Sequence, residues 1–184
     1  LTMATTLSGP GAVTTTTSPA FTITHAAASQ VAVTTQPSAS TVAGVAFAQQ
    51  PVVTVQDAFG NTVTTGGDAT VTITASLTTG SGTLSGTTTK AAVAGVANFS
   101  GNGLSINLAG TDKVLTMATT LSGPGAVTTT TSPAFTITAG ALDNFLLALA
   151  DPQTRGVAYT TTSTLTARDQ FNNVITDFDA SSDI

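Results

Sequence analysis

Residues 1–24 read LTMATTLSGPGAVTTTTSPAFTIT, and the same letters return as residues 115–138, at an offset of 114 (115 minus 1). Identity over this length indicates a duplication, and a fixed long period is typical of repeat architectures. The period suits one β-sandwich of about 100 residues per repeat. We therefore expect residues 1–25 to be the C-terminal strands of a preceding module, 26–138 to be a complete module, and 139–184 to be the N-terminal strands of a following module.

Alternating apolar and polar side chains mark the strands within residues 26–138. The clearest case is 69–77 (ATVTITASL), in which Val71, Ile73 and Ala75 face one way and threonines face the other. Turn residues separate such runs every 8–15 positions or so, and no segment shows a helical period. The predicted strands are 30–35, 46–57, 69–77, 83–89, 95–99, 104–108, 114–120 and 134–138. This spacing predicts an all-β, antiparallel sandwich with about seven strands per module.

The composition agrees with strands and narrows the range of partners. Threonine is the most frequent residue, the nine acidic residues are all Asp, and charged residues make up only 7% of the chain. Threonine and valine favour strands. Four basic residues against nine acidic ones argue against nucleic acid, which requires clustered Lys and Arg. The longest strongly apolar run, 145–150 (FLLALA), is far shorter than the ~20 residues of a membrane-spanning helix.

A weaker repeat aligns Asp57-Ala58-Phe59-Gly60-Asn61 with Asp169-Gln170-Phe171-Asn172-Asn173 at an offset of 112 (169 minus 57). The Asp, the Phe and the last Asn are kept, while Asn172 replaces Gly60. Glycine and asparagine are the residues that most readily adopt a positive φ. We therefore predict a tight structural turn in each copy, formed by Asp57, Gly60, Asn61, Asp169, Asn172 and Asn173.

These turns carry a resemblance to a known family. The pattern A-G-x-x-F (43–47), followed by a strand and D-x-x-G-N-x-V (57–63), resembles the bacterial immunoglobulin-like repeats of large surface proteins such as the invasin/intimin-like adhesins. Residues 104–111 (LSINLAGT) resemble the late strand of the same repeats. The resemblance implies tandem Ig-like modules and an extracellular or cell-surface location. Asp112-Lys113 departs from the aromatic or apolar residue that such repeats place here.

Asp57 with Asn61, and Asp169 with Asn173, are also the candidate metal ligands. Their side-chain oxygens suit Ca²⁺, but calcium takes six to eight oxygens and each turn offers few. The alternative is a turn in which Asp accepts backbone N–H groups. No other cofactor is expected. With one histidine, His25, and no cysteine, the sequence offers no nucleophile–base pair, so we do not expect an enzyme.

Two threonine runs, each followed by Ser-Pro, resemble O-glycosylation targets in composition. The alternative is a plain polar strand or loop. The candidate residues are Thr14, Thr15, Thr16, Thr17, Thr128, Thr129, Thr130 and Thr131.

Three functions fit a chain of this kind. The first is a structural, non-enzymatic repeat of an extracellular fibre, filament or surface stalk, whose partners are adjacent modules or neighbouring copies of itself. The second is an adhesin module that binds carbohydrate or a host protein through its loops. The third is an accessory domain of a large secreted enzyme. An exposed aromatic cluster would favour the second, but this chain has one Tyr and no Trp.

Overall fold

The fold is all-β, as the composition predicts. A computed structural model describes residues 1–6, 13–123, 127–149, 154–157 and 163–179. Strands account for 47% of the structure and helical residues for 3%, the latter in one 3-10 helix, Gly67–Thr70. No helix in these ranges has the length and hydropathy to cross a bilayer.

Fifteen strands can be assigned in the described ranges, and eleven of them lie within residues 26–138, the central segment. They are β1 (Thr2–Thr6), β2 (Val13–Thr17), β3 (Ala28–Thr35), β4 (Ser40–Val42), β5 (Val52–Asp57), β6 (Thr72–Thr79), β7 (Leu84–Ser85), β8 (Thr89–Ala91), β9 (Val96–Asn98), β10 (Ser105–Ile106), β11 (Gly110–Thr120), β12 (Val127–Thr131), β13 (Phe135–Thr138), β14 (Asn144–Ala148) and β15 (Thr164–Arg168).

Two sheets of the central segment share one apolar core. The larger has the order β4-β13-β11-β6-β8, with β12 also paired to β11, and the smaller has the order β3-β5-β9. All of these pairs are antiparallel except β4 with β13. Ile73, Leu115 and Met117 from the larger sheet lie in the same buried cluster as Val53 and Val55 from the smaller. This arrangement is consistent with a β-sandwich.

Alternation places the expected residues in the core, but several strand boundaries differ from the prediction. Ile73 and Ala75 are buried, while Thr72 and Thr74 are exposed. The strand predicted from Ala69 begins only at Thr72, because residues 67–70 form the 3-10 helix. The strand predicted over 46–57 begins at Val52, after Pro51, which has no N–H to donate to a ladder.

The central segment has eleven short strands rather than about seven. Two of the additional strands come from stretches that looked like connections. β12 holds Thr128–Thr131 and pairs with β11, and β4 pairs in parallel with β13. Threonine fits a pleated, half-buried surface, and this explains β12. The partner of β4 lies almost a hundred residues away, so no local pattern identifies it.

Lys113 occupies a core-facing position in β11. Its side chain is 1% exposed, and its Nζ donates a 2.7 Å hydrogen bond to the Ser81 carbonyl. Asp112 Oδ1 lies 3.8 Å from the same nitrogen and is mostly exposed. The long aliphatic stem of lysine can fill an apolar position while its charged end reaches polar groups. Lys113 therefore takes the position at which an apolar residue was expected.

The two identical segments form the same hairpin in different surroundings. β1 pairs with β2 as β11 pairs with β12: Thr2 faces Thr17, just as Thr116 faces Thr131. Met117 and Ile137 are 0% and 1% exposed, but their copies Met3 and Ile23 are 66% and 84% exposed. The sequence alone therefore specifies the local register, whereas burial depends on the sheet packed against it.

This contrast predicts different amide exchange rates for identical residues. We expect amides of β11 to exchange with deuterium orders of magnitude more slowly than the same amides of β1, because exchange follows local opening and an isolated hairpin is marginally stable. Backbone NMR is the appropriate measurement, since peptides of identical sequence have identical mass. Equal protection of the two copies would contradict the difference in packing.

Candidate functional site

The turn at Asp57 is held together by one buried carboxylate. Asp57 Oδ1 accepts hydrogen bonds from the backbone N–H groups of Phe59 and Asn61, both at 2.9 Å. Asp57 Oδ2 accepts the Asn61 side-chain amide at 3.0 Å and the backbone N–H of Ala26 at 2.9 Å. Asp57 is only 1% exposed, and Gly60 has a φ of 83°. One side chain therefore closes the turn and also fixes the start of the central segment.

The turn at Asp169 repeats this geometry. Its Oδ1 accepts the N–H groups of Phe171 and Asn173 at 2.9 Å, and its Oδ2 accepts the Asn173 side-chain amide at 2.8 Å. Gly140 takes the place of Ala26 and donates its N–H to Oδ2 at 2.8 Å. Asn172 has a φ of 64°, so it has the left-handed conformation of Gly60.

Both carboxylates are held in the ionised form. The side-chain amide of Asn61, followed by the Ala26 N–H, lowers the pKa of Asp57 well below its usual range. Burial opposes the ionisation of Asp169, but the hydrogen bonds from Asn173, Gly140 and Phe171 outweigh it, and the pKa of Asp169 is also lowered. A charge that accepts several N–H groups is stabilised by them.

Asn173 extends the second turn to the central segment. Its side-chain nitrogen donates to the Asn107 carbonyl at 2.9 Å, and its Oδ1 accepts the backbone N–H of Ala109 at 2.8 Å. Asn173 is 7% exposed. Because Asp169 also holds Gly140, two residues after the end of β13, the connection, the turn and the loop at 107–109 form one hydrogen-bonded network.

Phe171 adds an apolar contact to this network. It is half-buried and packs against the core cluster of the central segment. A Cβ on Gly44 would lie 2.5 Å from the Phe171 Cζ, and Gly44 also has a φ of 76°. Only glycine therefore allows this close approach. We call the contacts of Phe171 and Asn173 with Gly44, Asn107 and Ala109 the joint.

The sequence brought together the residues of each turn but not those of the joint. Gly44 and Asn107 both lie in stretches noted for the family resemblance, yet nothing in their spacing paired them with Phe171 or Asn173. One signal was available: the weaker repeat keeps the Phe of the turn as well as its Asp and last Asn, although Phe59 and Phe171 contribute only backbone N–H groups to the turn. A phenylalanine side chain that is kept without a role in its own turn points to a contact elsewhere in the fold.

The calcium candidates lie in the turns described above. The oxygens of Asp57 and Asp169 already accept N–H groups, so a calcium ion at either carboxylate would have to displace these donors. Within the described ranges, no three His, Cys, Asp or Glu residues gather in a group suited to a metal. Calcium binding stays a prediction.

The candidate glycosylation residues lie on two strands. Thr15 to Thr17 are exposed on β2, and the side chain of Thr14 lies outside the described part of the chain. On β12, Thr129 and Thr131 are exposed, whereas Thr128 and Thr130 are half-buried. Glycosylation therefore has geometric access at some of these positions and stays a prediction.

No protein-family model matches the chain, and no curated protein or solved structure matches it either.

Removal of the turn carboxylate should destabilise the central segment. In Asp57→Asn, an NH₂ group replaces one carboxylate oxygen and faces N–H donors, so buried donors lose their acceptor. We expect the thermal midpoint to fall by several degrees, measured by circular dichroism. Asp143→Asn is the matched control, because Asp143 is exposed and accepts only from Asn144 among the described contacts. An equal fall in both variants would contradict the role of Asp57.

The same carboxylates should make the fold acid-sensitive. Because their pKa is lower in the folded chain than the about 3.9 of an unfolded Asp, their stabilisation is complete above that value and is lost as the pH falls below it. The thermal midpoint should therefore drop between about pH 5 and pH 2, and the drop should be shallower in Asp57→Asn than in Asp143→Asn.

Asn173→Ala should loosen the joint, whereas Asn61→Ala should not. Each variant loses the amide that supports its Asp, but only Asn173 bonds to the central segment. We expect ¹⁵N relaxation of β14 and β15 to show motion independent of the central segment in Asn173→Ala alone. Unchanged relaxation in Asn173→Ala would show that the joint does not restrain these strands.

Proposed function

We propose that this chain is a structural, non-enzymatic part of an extracellular fibre, filament or surface stalk built from Ig-like modules in tandem. The observation that carries the proposal is the joint. It ties residues after Thr138 to the central segment through Asn173 and Phe171. A spacer must keep its length and direction, so a hydrogen-bonded joint next to a short connection suits this role.

The same pattern of hydrogen bonds around an Asp carboxylate occurs in both turns, and this repetition supports the proposal. Asp57 and Asp169 accept matching hydrogen bonds from the second residue after each copy of the duplicated segment, Ala26 and Gly140. In a linear array, stability is approximately the sum of a term for each repeat and a term for each contact between neighbours. The carboxylate-centred turn, which is built from an Asp, an Asn and backbone N–H groups, occurs in the same form at both positions.

Electron microscopy of the producing cells tests this proposal. We expect gold-labelled antibodies raised against residues 26–138 to decorate extended surface filaments or stalks along their length. Antibodies that have been absorbed with the purified chain are the control and should give no label. Label confined to the cell interior would overturn the proposal, and label restricted to filament tips would favour the adhesin function instead.

A further inference from the structure

Strand β9, at the edge of the smaller sheet, ends in an acceptor sequence for N-glycosylation, Asn98-Phe99-Ser100. Such a sequence has an asparagine, then any residue except proline, and then serine or threonine. No other asparagine of the chain has serine or threonine two positions later. The surroundings of Asn98 therefore decide whether a sugar can be attached to this chain through an asparagine.

The two residues that define the acceptor sequence are both exposed. Asn98 and Ser100 face solvent, whereas Phe99 is 0% exposed and belongs to the core cluster. Successive side chains of an extended chain point to opposite sides, so the burial of Phe99 directs Asn98 and Ser100 outward. Asn98 and its partner strand β5 both lie in the central segment, and Asn98 is exposed although the joint is in place.

The amide of Asn98 is open to solvent at its nitrogen. Its Oδ1 accepts the backbone N–H of Ser100 at 2.8 Å, but its Nδ2 and the Ser100 hydroxyl have no hydrogen-bond partner among the described residues. The amide of Asn102 differs, because its Nδ2 donates to the carbonyls of Thr87 and Thr89 at 2.7 and 3.2 Å. A sugar bonds to Nδ2, so a reaction at Asn98 displaces no hydrogen bond of the fold.

We propose that Asn98 is a site of N-glycosylation. The donor is a sugar whose anomeric carbon is bonded to the phosphate of a carrier, either a polyprenyl pyrophosphate or a nucleoside diphosphate. Nδ2 forms a bond to the anomeric carbon, the bond from that carbon to the phosphate oxygen breaks, and the carrier leaves with the electron pair. A base of the transferase takes one of the Nδ2 protons. This modification goes beyond the structural function and does not depend on it.

Asn98 also marks the part of β9 that has no neighbouring strand on its outer side. Val96 exchanges backbone hydrogen bonds of 2.9 and 3.0 Å with Val93 on the side away from β5. Backbone groups of an antiparallel strand alternate between its two sides, so those of Asn98 face the same outer side, where no described strand of the sheet pairs with them. An uncovered edge is a template for pairing with other chains, and β9 has no charged residue to prevent it. A sugar on Asn98 covers this edge.

Mass spectrometry of the protein isolated from the producing cells tests the proposal. Trypsin cleaves after Lys90 and Lys113, so Asn98 lies in one peptide, residues 91–113. We expect this peptide to have the additional mass of one or more sugar residues, and electron-transfer fragmentation should locate that mass on Asn98. A peptide found only with its unmodified mass would overturn the proposal, and Asn98 would then serve only the turn that follows β9.

Two variants at Ser100, expressed in the same cells, separate the acceptor sequence from the turn. Ser100→Ala removes the hydroxyl but keeps the backbone N–H that bonds to Asn98 Oδ1, and we expect complete loss of the sugar with an unchanged circular dichroism spectrum. Ser100→Thr is the matched control, because it preserves the acceptor sequence, and the sugar should remain. Asn98→Gln should also lose the sugar. A modified peptide in Ser100→Ala or in Asn98→Gln contradicts attachment at Asn98.

An assay of sugar transfer distinguishes the two donors. The chain, produced unmodified in a host that lacks N-glycosylation, is incubated with solubilised membranes of the producing cells or with their soluble extract and nucleoside diphosphate sugars. Transfer from the membranes alone identifies a polyprenyl-linked donor, and transfer in the soluble extract identifies a nucleoside diphosphate donor. Absence of transfer in both would overturn the proposal, and it would leave the labelling of surface filaments by antibodies unaffected.

Discussion

The buried carboxylate in each turn requires N–H donors from two parts of the chain, the turn itself and the segment that follows the duplicated sequence. The structure around each carboxylate depends on this requirement. Asp57 and Asp169 each accept two backbone N–H groups and one asparagine amide from their own turns, and one backbone N–H from the chain that follows the duplicated segment. An ionised group that is removed from water is costly unless its lone pairs are satisfied. The entering chain therefore supplies one of the donors that the carboxylate needs, and this hydrogen bond ties the chain after each duplicated segment to the turn.

The hydrogen bonds of the joint are made by the groups of the Asn173 amide that do not bond to the Asp169 carboxylate. The Asn173 amide has two N–H groups and one oxygen: one N–H serves Asp169, the other serves Asn107, and the oxygen accepts Ala109. The residue that completes the turn thus also binds the neighbouring loop. Damage to the turn would disturb the joint, and the two form one cooperative unit. A joint of this kind requires few charges, which suits a chain with only 7% charged residues.

The sequence predicted the parts of this structure that depend on local patterns. Alternation identified β6, a strand was predicted over residues 114–120 of β11, and the exchange of Gly60 for Asn172 pointed to a left-handed position in the turn. It did not predict β4, whose parallel partner is distant, or β12, whose threonines have no apolar face to mark a strand. The joint also escaped prediction, because the pairing of Gly44 with Phe171 depends on how two segments pack, and no spacing encodes it.

The two identical segments show that strand register is specified by the local sequence, whereas side-chain burial depends on neighbouring parts of the structure. The same letters produce the same register in β1–β2 and β11–β12, yet Phe135 is 3% exposed and its copy Phe21 is 67% exposed. Phe59 and Phe171 show the same relation at the turns. Identical sequence gives the same backbone geometry in both copies, but the side chains are buried only in the copy that packs against another segment. Because burial supplies most of the stabilising free energy, the hairpin of β11 and β12 gains from the central segment a stability that the identical hairpin of β1 and β2 lacks.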